Sequence, residues 1–259
     1  MRFSTCQYLQ NLSLFLLFYF AAQTKVFACD KTLSISVAKD WPPFSYREQG
    51  EYKGLDIEIT ERILKSINYC WRYYSYPSSS RALLELKKGN IDLIFAASYS
   101  QERASYATYS AAYRYEVMQL FSNTKYDKET SYTRDSLIAI NRGGYYGENF
   151  ANYMNNCSEC IVEVNLASER INLVSMGRVD FAAEELLAGI YIINQNKLNQ
   201  FVQPTNITIN SNPVYYMLNP ARFDAQDVKK LNKAIESNDE AINQLVETYQ
   251  QRYSEVIAD

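Results

Sequence analysis

The 259-residue chain contains no histidine. That absence removes Ser-His and Cys-His nucleophile pairs and every histidine-ligated metal site, and with them most familiar hydrolase mechanisms. Glycine is scarce, at eight residues, and the Gly143-Gly144 pair lacks the third glycine and the downstream acid of a dinucleotide-binding fingerprint. There is no excess of basic residues either: 26 Lys and Arg stand against 29 Asp and Glu, a net charge of −3, which argues against a nucleic-acid surface. The apolar run Leu12 to Ala22 falls well short of the roughly 20 residues that a membrane-spanning helix needs.

That run follows Arg2 and precedes a polar stretch ending Val26-Phe27-Ala28, the pattern of a secretory signal peptide over residues 1–28. The reading places the mature protein in the periplasm. Removing the leader takes away Arg2 and Lys25 and no acid, so the charge moves from −3 to −5 and 231 residues remain. A chain of that length suffices for two small lobes.

Of five cysteines, Cys6 lies in the leader. The even number left in an exported protein predicts disulfides, which we pair as Cys29 with Cys70 and Cys157 with Cys160. Cys29 opens the first expected strand and Cys70 ends the first helix, so the first bridge would tie down the new N-terminus. Two alternatives stay open at this level. Cys29, directly after the cleavage site, is where a lipid would be attached, although Phe27 is bulky for such a signal. A four-thiolate zinc site or a redox Cys-x-x-Cys is the other, although Cys157 to Cys160 lies between a polar helix and a strand and not at a helix start.

Along the mature chain, Leu33, Ile35 and Val37 alternate with serines, a strand pattern, and Asp40-Trp41-Pro42-Pro43-Phe44 follows as a loop that the prolines keep extended. Glu48 to Lys53 reads as a turn or hairpin. Leu55, Ile59, Ile63 and Ile67 form one face of a helix, and an aromatic strand covers 71–76. Ser78, Ser79 and Ser80 cap a helix that Gly89 stops. A polar run at 123–135 reads as a surface excursion. After it come an expected strand at 136–140, a helix near 149–155, a strand at 161–164, a helix at 168–176, a strand at 179–183 and a helix at 185–195. Two strands, 201–210 and 213–218, and two helices, 224–238 and 239–253, complete the chain. The expected class is α/β, two lobes each built from a mixed sheet flanked by helices: 29–120 with 212–259 in one, 121–211 in the other.

The stretch that organises the reading is Ile91 to Arg103. Ile91, Leu93, Ile94 and Phe95 suit a buried strand whose carboxyl end releases a loop, and open α/β sheets place ligands at that end. Ser98, Ser100 and Arg103 there suit a small anion, since a guanidinium pairs bidentately with a carboxylate while hydroxyls and amides take the remaining lone pairs. The plainer reading is a strand, a serine turn and a solvated arginine.

The sequence resembles the bacterial family 3 extracellular solute-binding proteins. The resemblance rests on WPPFSYREQGEYKGLDIEITERI at 41–63, LKKGNIDLIFAASYSQERASYATYSAAY at 86–113 and MGRVDFAAEE at 176–185. It implies a type II periplasmic-binding fold with a ligand cleft between the lobes. It also implies a non-enzymatic monomer that takes an amino acid or small carboxylate to an ABC permease without a cofactor or metal. Carried over residue by residue, it places Trp41 over the ligand and has Ser98 meet the ligand's amino and carboxylate groups. Arg103 clamps the carboxylate, Gly144 and Tyr145 close on it with second-lobe amides, and Glu185 takes the ammonium. The chain departs from the pattern at Ser78, Ser79 and Ser80, where an aromatic wall is usual, and at Ala96, where a hydroxyl or glycine is usual. Glu185 stands for the commoner Asp, with Glu184 beside it as the alternative. Alternatives in function are a dehydratase-like enzyme using Glu184 or Glu185 as general acid, and a sensor lobe serving a membrane partner other than a transporter.

Overall fold

In a computed structural model, residues 28–254 are described. The signal peptide expected at 1–28 and Cys6 fall outside them, save for Ala28. The elements run β1 (Lys31–Val37), β2 (Asp40–Trp41), β3 (Ser45–Glu48), β4 (Glu51–Lys53), α1 (Leu55–Ser66), β5 (Tyr69–Ser75), α2 (Ser79–Lys87), β6 (Leu93–Ala97), α3 (Gln101–Ala104) and β7 (Thr108–Asn123). They continue with β8 (Ile138–Asn141), α4 (Glu148–Asn156), β9 (Ile161–Val164), α5 (Ala167–Ser175), β10 (Phe181–Glu185), α6 (Leu186–Gln195), β11 (Val202–Leu218), α7 (Ala225–Ser237) and α8 (Asp239–Tyr253).

Eight strands form one mixed sheet in the order β5-β1-β6-β11-β7-β10-β8-β9. The order is explained by two long strands that serve both ends of the sheet. Near its C-terminus β11 pairs with β6, Leu218 opposite Leu93, while near its own C-terminus β7 pairs with β10, Ser122 opposite Phe181. Between these ends β7 and β11 run antiparallel to one another from Thr108↔Leu218 to Asn123↔Val202. One lobe therefore gathers around β5, β1 and β6, the other around β10, β8 and β9, and the β7–β11 ladder joins them.

β11 is one strand running through both stretches expected at 201–210 and 213–218, and β7 runs for 16 residues ahead of the polar excursion. Pro204 and Pro213 are accommodated because the N-terminal part of β11 has β7 on one side only, and an edge tolerates a missing N–H. The register slips between Pro204 and Thr208, between Thr208 and Asn210, and twice between Val214 and Met217.

Packing follows the amphipathic pattern. Ile59, Ile63 and Leu64 of α1 are buried against Leu33 and Ile35 of β1 and Leu231 of α7 in the first lobe's core. Phe121, Ile171, Val174 and Ile193 build a core in the second. α1 is preceded by its cap residue Gly54, whose φ of 123° and closeness to the Phe44 carbonyl, 2.5 Å from where a Cβ would sit, allow no side chain. Inside the first lobe, Asp56 of α1 receives Arg114 Nε and Nη2 of β7 at 2.7 Å each and Tyr113 Oη at 2.8 Å. Both ion-pair partners are buried.

All four described cysteines are disulfide-bonded. Cys157 and Cys160 bridge one another across a single helical turn at Ser158–Cys160, with Cα atoms 5.3 Å apart. With its sulfur in a disulfide, Cys29 is not a lipid attachment point, and the four sulfurs are spent on bridges, not on zinc.

Candidate functional site

β1 and β6 of the first lobe and β8 and β10 of the second deliver their carboxyl ends toward one cavity of about 190 Å³. Its size suits a small metabolite, being below the roughly 300–1,000 Å³ of pockets for drug-sized ligands. Trp41, Ser98, Arg103, Gly144 and Tyr145 all line it, as does Glu184. Glu185 does not.

Arg103 is positioned from two sides. It lies in the short α3, where Ser100 caps the start and its Oγ accepts from the Arg103 N–H at 3.3 Å. Ser100 is thus a cap, and the trio expected to share one anion is reduced to Ser98 and Arg103. The guanidinium donates to the Ser98 carbonyl (3.2 Å) and, across the cavity, to the Gly143 carbonyl of the second lobe (2.9 Å), with the Tyr145 ring 5.9 Å away. Ala96 of β6, which also lines the cavity, has φ 51°, a left-handed conformation that favours glycine, and its N–H donates to Tyr113 Oη at 2.9 Å.

In the second lobe the Gly144 N–H is spent on the Asn141 carbonyl at 2.8 Å. Of the two amides expected to close on a carboxylate, that leaves the one on Tyr145. Ser78 and Ser79, where the resemblance implies an aromatic wall, line the cavity. Ser79 Oγ accepts from Asn141 Nδ2 at 2.9 Å and the Ser80 N–H donates to the Arg142 carbonyl at 3.2 Å, so polar bonds between the lobes take the ring's place.

The two neighbouring acids divide their roles. Glu185 ends β10 and caps α6, one oxygen accepting from the Ala188 N–H at 3.0 Å, and burial pushes its carboxyl up to about 8. Glu184 faces the cavity, but its lone pairs are filled. One oxygen accepts Trp41 Nε1 (2.9 Å) and the Glu185 N–H (3.0 Å), and the other accepts Nε (2.9 Å) and Nη2 of Arg170. A carboxylate has about four acceptor positions. Glu184 uses all of them, and Arg170 Nη1 is left buried without a partner.

Two cavity residues escaped the sequence reading. Arg170 shares the buried face of α5 with Ala167, Ile171 and Val174, and an arginine at that helical spacing was the available signal. Glu116 is buried in β7, and burial pushes its carboxyl up to about 7.

Compared with known families, residues 33–253 match the bacterial extracellular solute-binding proteins, family 3. The chain belongs to that family. Solved structures of the same fold include a histidine kinase sensor domain with similarity to periplasmic binding proteins, at 19% identity, TM-score 0.73, covering 88% of this chain and 98% of that one. An arginine third transport system periplasmic binding protein from Legionella pneumophila is 18% identical, TM-score 0.70, over 85% and 100%. An ancestral arginine-binding protein bound to glutamine is 17% identical, TM-score 0.69, over 86% and 98%. A search of the curated proteins returns no match. For this family 3 member, these likenesses establish the type II periplasmic-binding fold.

Proposed function

We propose that the protein captures a small solute bearing a carboxylate, an amino acid or a relative of one, between its two lobes outside the cytoplasm, and hands it to an ABC-type importer. We assign residues 29–120 and 212–259 to the first lobe and 121–211 to the second. The observation that carries this reading is Arg103: a guanidinium in a cavity lined by both lobes, already bridging them through Ser98 and Gly143. A carboxylate entering there meets the guanidinium, the Ser98 hydroxyl and the Tyr145 amide under the Trp41 ring. Each such contact is charge-assisted and shielded from bulk water once the lobes meet.

Glu184, saturated, and Glu185, away from the cavity, are poorly placed as a general acid, which supports binding over dehydratase chemistry. Thermal unfolding with the twenty L-amino acids and a panel of small carboxylates tests the proposal. A true ligand at 100 times its Kd stabilises the fold by about 2.7 kcal/mol. No shift with any of them overturns the reading.

A further inference from the structure

If the solute is an amino acid, its ammonium group needs an acid in the cavity, and the two expected candidates are out of reach or already engaged. Glu185 caps α6 and lies off the cavity, and Glu184 holds four donors. Asp40 lines the cavity while accepting Ser168 Oγ from α5 at 2.7 Å. Glu116 is different. It lines the cavity, is 8% exposed, and no hydrogen bond or ion pair within the described residues reaches its carboxylate. Its oxygens, unlike Arg170 Nη1, are not sealed off. Leaving such a group dry and unpaired is costly, and a cation supplied by a ligand removes that cost.

We propose that Glu116, on the strand that joins the lobes, is the acid that receives the ammonium group of the captured solute, opposite the carboxylate held by Arg103. The proposal rests on the amino-acid reading above and moves one pole of recognition from the second lobe to the connecting ladder. Arg103 and Glu116 line the same cavity, where one zwitterion can engage both.

The test is calorimetric titration of the mature chain with the twenty L-amino acids and, for each that binds, its desamino acid. Glu116→Gln is expected to weaken amino-acid binding about 10- to 100-fold, the range for losing one charge-assisted hydrogen bond, while changing the desamino acid less than about twofold. Wild-type affinity in Glu116→Gln, with the loss appearing instead in Asp40→Asn, overturns the proposal. Binding of carboxylates without an amine, and of no amino acid, overturns it while keeping the capture reading. No binding at all overturns both.

Should Glu116→Gln fail to fold, the wild-type pH profile decides. Glu116 is faced by Arg114 of its own strand, Asp56 of α1, Arg103 of α3, Glu184 and Glu185 of β10, and Tyr146 ahead of α4. As Glu116 gains a proton below about pH 7, amino-acid affinity is expected to fall by up to about tenfold per pH unit, in Glu185→Gln as in wild type. Affinity that holds level down to pH 5 overturns the proposal.

Discussion

Arg114 of β7 and Asp56 of α1 meet through two parallel hydrogen bonds of 2.7 Å, both side chains buried, with the Phe44 ring 4.3 Å from the guanidinium carbon. The pair fastens the joining ladder to the first lobe's principal helix. Removing one partner strands the other's charge. Asp56→Ala is expected to cost about 3–5 kcal/mol in urea unfolding, and a loss under 1 kcal/mol contradicts this account.

Glu184 and Arg170 form the second lobe's counterpart. Glu184→Ala leaves a buried guanidinium with no anion and frees the Trp41 indole, again at a cost of about 3–5 kcal/mol. The double variant Glu184→Leu, Arg170→Met removes both charges and is expected to be markedly more stable than Glu184→Ala. Denaturation of the three proteins side by side checks the order.

Arg103→Ala is expected to abolish carboxylate binding at practical concentrations, a loss of about 30-fold or more, since a buried charge-paired contact is worth 2 kcal/mol upward. The melting profile without solute should stay near that of wild type, because Arg103 is only half-buried and donates to carbonyls. Unchanged affinity in calorimetry would refute its role.

Stability without solute should rise on acidification from pH 8 to about 5. Burial lifts Glu116 to about 7 and Glu185 to about 8, above ordinary carboxylates. The folded chain therefore holds protons that the unfolded chain has released. The stabilisation is complete below the unfolded pKa near 4.3 and is lost as pH climbs through 7 to 8, by up to roughly 1.4 kcal/mol per pH unit for each group. Glu116→Gln should flatten the slope; a slope unaffected by either Glu116→Gln or Glu185→Gln would count against both assignments.

Gly189→Ala puts a methyl group 2.1 Å from Phe121 Cζ, in the second lobe's core. On an exposed helix this change gains up to about 1 kcal/mol. Here overpacking should reverse the sign, with a loss of about 1–3 kcal/mol by thermal unfolding.

Much of the fold was legible because its elements obey simple periods. Leu55, Ile59 and Ile63 marked α1, and the strand at 161–164 was read to the residue. Reading failed where the site itself breaks the rule that charge faces water. Arg114 and Glu116 are buried in β7, so its alternation does not look like that of a half-buried strand. The acids at 184 and 185 show how sharp the failure can be. The expected helix began at Glu185, whereas β10 runs through it and α6 starts at Leu186. Since neighbours on a strand point to opposite faces, that one-residue difference decides which acid sees the cavity.

On the capture reading, the β7–β11 ladder between the lobes governs how a guest enters. Two strands bonded along their length cannot swivel as a lone tether can; they flex like a leaf spring. The ladder's register slips on either side of the regular stretch from Asn210 to Val214, and those slips are where we expect it to give. Trading these irregular residues for regular β-formers should therefore slow admission and escape alike, leaving the grip on a seated guest largely as it was.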